Sequence, residues 1–242
     1  MDRQVFDRMA AFEESHWWFK ARRDMIEAIL SKTACLPAAP RILEAGCGTG
    51  GNLALLRSFG DVSAFEYDED ARKIASAKSG LPVAFGALPA DIPFEADRFD
   101  AICLFDVLEH IKDDAGSLTA LVERLTPAGS IIITVPAFPK LWSRHDERHH
   151  HFRRYTSRSL GAVARTAGLQ IVKDGYFNSI LMPLAVANRA INSALKREVA
   201  DEAMPSKLVN QILYQIFAAE RHAVGRLRVP AGLSLYAILQ RL

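Results

Sequence analysis

The sequence predicts an α/β fold: a doubly wound, seven-stranded, mostly parallel sheet, with a helical segment ahead of it and a helical insertion before its last strand. Three observations carry this. From residue 41 onward, short apolar runs of strand type alternate with amphipathic helical stretches. The first run, RILEA, ends in the glycine-rich turn GCGTGG at residues 46–51. An acid, Glu66, closes the second run about twenty residues after that turn, the interval at which doubly wound folds place a ribose-binding carboxylate.

Residues 5 to 31 have helical periodicity, with Met25, Ile26, Ile29 and Leu30 on one side. The prolines of CLPAAP (35 to 40) end that helix, because proline lacks the amide hydrogen the ladder needs. Strand-type runs follow at 41–45, 62–67, 81–86, 99–105 and 130–136, the last almost entirely β-branched. Between them lie helical stretches at NLALLRSFG, at DEDARKIASAKSG, and at DDAGSLTALVERLTPAG, where Pro127 and Gly129 form the expected stop. Thr156 or Ser157 caps a further helix that ends at Gly168, and LQIVKDGYF (169 to 177) is a sixth strand. Two amphipathic helices come next. The first carries Ile180, Leu184, Ala187, Ile191 and Leu195, and the second Leu208, Ile212, Leu213, Ile216 and Phe217. LSLYAILQRL (233 to 242) is the seventh strand. The domain plan is therefore an N-terminal helical lid (1–34), a ligand-binding domain (35–177 with 233–242) and a helical insertion (178–232).

Composition narrows the function classes. The 242 residues carry a formal charge of only +2, which gives no whole-chain footprint for nucleic acid. Cys35, Cys47 and Cys103 are too few and too scattered for a disulfide framework or a zinc set. The charged N-terminus and the lack of a run of roughly 20 apolar residues predict a cytoplasmic protein.

In the glycine turn, Gly46 and Gly48 let the backbone approach a ligand with no Cβ in the way. The helix beginning near Asn52 follows directly. Glu44 stands two residues before the first glycine. A carboxylate there would repel a pyrophosphate and suits a ligand that carries an ammonium group. Glu66 is placed to accept hydrogen bonds from ribose hydroxyls.

These segments resemble the class I S-adenosylmethionine-dependent methyltransferases. ILEAGCGTG is similar to their first motif and SAFEYDEDARKIA to their second. ALPADIPFEADRFDAICLFDVLEHI (87 to 111) is similar to their third-strand loop and fourth strand, and LTPAGSIIITVPA (125 to 137) to their fifth. The resemblance covers residues 40 to 180 in order. It implies S-adenosylmethionine as cofactor, with S-adenosylhomocysteine as product, and places the last strand antiparallel at the sheet's edge. It further implies that Glu44, Gly46, Cys47, Gly48 and Asn52 surround the amino-acid part, that Glu66 takes the ribose hydroxyls, and that Tyr67 lies against adenine. Phe105 and Asp106 would lie beside the methionine moiety. Ala87 and Leu88 stand where many relatives have an acid for the adenine amino group, which leaves backbone groups and apolar contact, or Asp91, to replace it. In the N-terminal lid, Trp18 would pack over the cofactor, with Arg22 or Arg23 reaching a carboxylate; Arg23 is counted among the cofactor contacts.

Methyl transfer from a sulfonium needs alignment of the acceptor with the S–CH₃ bond, and for a hydroxyl acceptor a base of near-neutral pKa. The stretch RHDERHHHFRRY (144 to 155) follows the fifth strand and so begins at the sheet's carboxyl edge. Consecutive His149, His150 and His151 diverge on either a helix or a strand, and the reaction requires no metal, so none is expected. Its arginines could grip phosphate, but the cluster is short within a charge-balanced chain. A subgroup of the family has a similar Leu-Trp-Ser, Asp and His-x-Arg-Arg-Tyr, here Leu141, Trp142, Ser143, Asp146, His151, Arg153, Arg154 and Tyr155. The expectation is His151 as base, His145 as second choice and Asp146 as its orienting partner. Trp142, Arg153, Arg154 and Tyr155 are expected to contact the acceptor. His110 is expected to cap a helix. The anticipated reaction is O-methylation of a small-molecule or lipid-like acceptor, without specific nucleic acid. Basic residues at Arg189, Lys196, Arg197, Arg221, Arg226 and Arg228 suit contact of the insertion with the inner face of a membrane, and its apolar faces suit a homodimer. The rival class is a regulatory or scaffolding protein that binds S-adenosylmethionine without catalysis; a nucleic-acid methyltransferase ranks lower.

Overall fold

The computed structural model describes residues 10–194 and 204–242. Lys196, Arg197 and Leu195 of the expected insertion lie outside them, as do residues 5–9 of the expected first helix. The strands are β1 (Arg41–Ala45), β2 (Asp61–Glu66), β3 (Ala84–Phe85), β4 (Phe99–Phe105), β5 (Leu125–Pro136), β6 (Leu169–Phe177) and β7 (Ser234–Arg241). They form one seven-stranded sheet in the order β3-β2-β1-β4-β5-β7-β6, parallel except for β7, which runs antiparallel between β5 and β6. The reversal of strand order at β1 and β4 places the ends of those two strands at the crevice where such sheets bind ligands.

Alternation along β5 shows why the sheet carries helices on both faces. Ile131, Ile133 and Val135 enter one apolar core and Ile132 the other, all fully buried. On one face lie the helices α1 (Trp17–Thr33), α2 (Leu53–Arg57) and α3 (Glu69–Ser79). On the other lie α4 (Asp114–Val122) and α6 (Ser157–Thr166). The short helix α5 (Arg144–Arg148) sits in the loop after β5.

Three predicted boundaries move. The N-terminal helix is interrupted: a turn at residues 13–16 precedes α1, and the His16 ring accepts from the Trp18 amide as its cap. Pro127 and Gly129 do not stop a helix. α4 ends at Val122, and both residues lie inside β5, where Arg241 of the neighbouring strand donates to the carbonyls of Val122, Leu125 and Thr126. β3 spans only two residues.

The N-terminal segment is built into the domain. Ala21, Met25, Ile26, Ile29 and Leu30 of α1 are buried in the core, so the expected boundary at residue 34 has no counterpart in the packing. The insertion forms α7 (Met182–Ala194) and α8 (Lys207–Ala219). α8 docks on α1: Asn210 accepts from the Trp17 amide at 2.8 Å and donates to Ser15, and Asp24 takes both the Tyr214 hydroxyl and Arg221. No helix among the described residues is long and apolar enough to cross a membrane.

Candidate active site

The turn after β1 is pinned to β2. The amides of Gly46 and Cys47 both donate to the Phe65 carbonyl, at 2.9 and 3.1 Å. Gly46 has φ +75°, and a Cβ there would stand 3.0 Å from Val107. Gly48 has φ +54°, and a Cβ would meet no heavy atom within 4 Å, which leaves open space above the loop. The Glu66 carboxylate holds this turn in place, accepting from the Gly48 amide at 2.8 Å through one oxygen and from the Asp68 amide at 2.9 Å through the other. Each oxygen retains a lone pair for a ribose hydroxyl.

Glu44 is buried at the end of β1. Asn52 stands at the helix start yet does not cap it; its side-chain amide donates instead to Glu44 Oε1 at 2.9 Å. Glu44 Oε2 is buried with no partner among the described residues. Burial pushes the Glu44 carboxyl up to about 7, with Glu66 and Glu13 adding to the rise against Asn52 and Arg22. An unpartnered buried oxygen of this kind suits an ammonium group, so the cofactor implied by the loop fits these residues. Burial, reinforced by Glu44 and Glu66, raises the Cys47 thiol, which excludes it as a nucleophile at neutral pH.

Beyond Glu66, Tyr67 is 69% exposed and lies beside the exposed Phe85, ring centroids 6.0 Å apart. The expected help from Ala87 changes form. Its amide and carbonyl are engaged with Asp91 in a two-bond bridge of 2.7 Å each, so its N–H is not available to adenine. Leu88 is half-buried beside it and the two open aromatic rings remain.

At the end of β4, Phe105 is buried and Asp106 adopts φ 57°, a left-handed backbone rare outside glycine. Its amide donates to Thr134 of β5 at 2.9 Å, and its carboxylate pairs with Arg22 of α1. Arg22, whose guanidinium also lies 5.4 Å from the Trp18 ring, is thus the residue of α1 that reaches the end of β4. Arg23 points elsewhere, donating to the Glu13 carbonyl at 2.6 Å. One helical position decides this, because successive residues lie about 100° apart. Glu13, absent from the sequence-derived site, is buried and joins Thr49 of the glycine turn (3.0 Å) to Lys78 of α3 (2.8 Å). It falls within the segment 5–31 expected as one continuous helix, and only the turn at residues 13–16 brings its side chain to Thr49 and Lys78. A cleft of about 310 Å³ lined by Glu14, Arg23, Gly51 and Lys78 contains none of the expected cofactor residues except Arg23.

The stretch RHDERHHHFRRY folds as a loop closed at its base. Tyr155 bridges back to Ala137, its amide donating to the Pro136 carbonyl and its carbonyl accepting from Phe138. Inside, Asp146 forms a capping box with Ser143 and is fully buried. Its Oδ1 accepts from His151 Nδ1 at 2.9 Å and from Arg154 Nε at 2.7 Å. Burial opposes its charge, yet His151, Arg154 and Ser143 together hold the carboxyl well below the usual carboxylate range. His151 and Asp146 therefore form the expected pair geometrically, with Nε2 of the ring left for other contacts. The His145 ring lies 4.1 Å from that of His149 and 6.2 Å from that of His151, further out.

Three expected acceptor contacts are structural instead. Arg154 is buried in its ion pair with Asp146 and also donates to the Ala137 carbonyl. Tyr155 is buried, its hydroxyl donating to Asp114 at 2.8 Å. Arg153 pairs with the same Asp114 at 2.6 Å and donates to the Lys112 carbonyl. Trp142 remains exposed. His110 caps nothing: Asp113 caps α4, while the His110 ring packs edge-on against His151 with centroids 4.5 Å apart. Burial pushes His110 down to about 3, helped by His151 and His149. Beside it, burial and then Asp106 hold the Glu109 carboxyl well above its usual range. Among the described residues, Glu109, His110 and His151 are the group whose potential ligand atoms converge, all within 4.8 Å of one another.

A seven-stranded sheet of this order, with a glycine-rich turn after β1 and an acid ending β2, defines a class I S-adenosylmethionine-dependent methyltransferase fold. A family model described as a methyltransferase domain matches residues 16–174, and the chain belongs to that family. It is similar to the biotin biosynthesis bifunctional protein BioCD of Bordetella avium (strain 197N), 34% identical over 138 residues, covering 54% of this chain and 29% of that one. It is 24% identical over 209 residues to a "Probable S-adenosylmethionine-dependent methyltransferase" of Mycolicibacterium smegmatis, covering 82% of this chain and 79% of the relative. To the ubiquinone biosynthesis O-methyltransferase of Xylella fastidiosa (strain 9a5c) it is 30% identical over 142 residues, 53% of this chain and 57% of the relative. The match thus spans less than two thirds of both the Bordetella and the Xylella proteins. Among solved structures, a TehB-like SAM-dependent methyltransferase from Corynebacterium glutamicum superposes with TM-score 0.56 at 18% identity, over 99% of this chain and 95% of that one.

Proposed function

We propose that this chain transfers the methyl group of S-adenosylmethionine to an oxygen of a small-molecule or lipid-like acceptor, with His151 controlling the acceptor's proton. The observation that carries this is the buried Asp146–His151 pair, set at the carboxyl edge of β5 in a loop that meets the β4 end at Glu109 and His110. The similarity to the Xylella O-methyltransferase supports oxygen as the acceptor element.

The cofactor supplies a methyl group already activated on a sulfonium. Glu44 and the glycine turn receive its amino-acid part, Glu66 its ribose, and Tyr67 with Leu88 its adenine. Asp106, held by Arg22 and Thr134, orients the methionine side at the junction of β4 and β5. His151 Nδ1–H donates to Asp146, which fixes the tautomer and leaves Nε2 as the proton-accepting edge. Asp146, Arg154 and Ser143 hold that ring so that little orientational freedom is lost in the reaction.

The test pairs binding with turnover. His151→Ala should lower release of S-adenosylhomocysteine by about 10²–10⁴-fold across a panel of phenols, catechols and polyprenyl phenols. Its S-adenosylhomocysteine affinity, measured calorimetrically, should match wild type. A wild-type chain that binds the cofactor but methylates no acceptor would favour the regulatory alternative. Unchanged turnover in the variant would remove His151 from the chemistry.

A further inference from the structure

We propose that Glu109, His110 and His151 form a divalent-cation site on the acceptor side of the cleft, one that holds and acidifies the acceptor's hydroxyl. The inference deepens the methyl transfer proposed above and rests on it, with His151 binding the ion in place of accepting the proton directly.

The three side chains come from two loops, 106–114 after β4 and 138–155 after β5, and several bonds lock those loops together. The Phe152 amide donates to the Glu109 carbonyl at 2.8 Å, Arg153 donates to the Lys112 carbonyl, and Asp114 takes both Arg153 and Tyr155. The ligand atoms are therefore held before any ion arrives, their separations all within 4.8 Å. Each imidazole also has an outer partner that directs its ring. Asp146 accepts from His151 Nδ1, and the backbone carbonyl of His149 bonds the His110 ring. Histidines that bind metals carry outer hydrogen bonds of this type, which free the opposite nitrogen as ligand.

Glu109 supplies the independent observation. It is 1% exposed, and its Oε2 is buried with no partner among the described residues. The acids around it are compensated: Asp106 pairs with Arg22, and Asp146 with Arg154. Among the described residues Glu109 forms no ion pair, and a bound cation would compensate the charge that burial alone disfavours. Two imidazoles and one carboxylate, with the remaining positions left for solvent or substrate, suit Mn²⁺, Fe²⁺, Co²⁺ or Zn²⁺ better than Mg²⁺ or Ca²⁺.

The chemistry balances without redox change. The acceptor's oxygen binds the ion and its proton passes to bulk water, since coordination lowers the pKa of a bound hydroxyl. The oxygen's electron pair forms the O–CH₃ bond while the S–CH₃ pair returns to sulfur as a neutral thioether. His151 then acts through the ion, as a ligand.

The whole chain, stripped with a chelator and titrated with Co²⁺, tests this by visible absorption and calorimetry. One Co²⁺ per chain should bind with ligand-field bands, and His110→Ala should abolish them. Glu109→Gln is the near-isosteric second variant should the first fail to fold, and it should weaken binding in the same way. Asp146→Asn should weaken it by about 10–100-fold, since His151 loses the charged partner that directs its ring. Added Mn²⁺ or Zn²⁺ should restore methyl transfer to chelated wild type. Absence of stoichiometric Co²⁺ binding, or equal binding by wild type and the folded variants, overturns the proposal and returns His151 to the role of base. S-adenosylhomocysteine titration of the same chelated protein reports the methyltransferase function separately, so a failure there is distinguishable from a failure of the metal site.

Discussion

Glu44 is the residue whose physics reaches furthest. Its carboxyl stands at about 7 in the fold against 4.5 unfolded, chiefly through burial. A raised acid binds more protons folded than unfolded between those values, so folding stability falls as pH rises from about 4.5 to about 7 and stays lower above it. The span corresponds to about 3 kcal/mol. Glu44→Gln, which keeps the Asn52 contact without the charge, should remove that slope. Thermal unfolding of the cofactor-free chain from pH 5 to 8 should show the variant gaining stability relative to wild type with rising pH; parallel curves would contradict the burial argument. In the complex the charge has a use, because a ligand ammonium compensates it, and the same substitution should weaken cofactor binding by roughly 10–100-fold.

At the scale of elements, the loop between β5 and α6 is organised around one buried acid. Asp146→Ala would leave the Arg154 guanidinium buried without its carboxylate, a loss of about 3–5 kcal/mol. A thermal midpoint close to wild type would show that the loop does not depend on this pair. The same loop shows what the sequence could and could not reveal. The glycine turn and Glu66 were legible because local spacing along one βαβ unit places them. Asp146 beside His151 was legible because both sit on one short loop. Arg154 and Tyr155 were expected at the acceptor because their run follows the fifth strand at the sheet's carboxyl edge, and only the bridge from Tyr155 to Ala137 turns them inward. The meeting of Glu109 and His110 with His151 depends on the register of β4 against β5, with Phe105 opposite Thr134, and no local pattern encodes that. Pro127 and Gly129 misled for a related reason: pairing with neighbouring strands outweighed their turn preference.

At the scale of the molecule, α8 and α1 form one helical layer over the sheet while an apolar surface stays open beside it. Leu184, Ile191, Leu208 and Ile212 are all exposed, and Leu227 stands exposed between Arg226 and Arg228. Anionic vesicles should therefore bind the chain at low salt and release it as salt rises, each basic residue near the surface contributing about 1 kcal/mol. Co-sedimentation that is absent, or indifferent to salt, would leave these helices to a protein partner or a second copy. Above all, the cradle of Glu44, the glycine turn and Glu66 should hold the cofactor, which calorimetric titration with S-adenosylhomocysteine measures. Wild type should bind at one site per chain, with binding lost in Glu66→Ala because the Gly48 and Asp68 amides lose their common anchor. No binding by wild type, or undiminished binding by the variant, would contradict it.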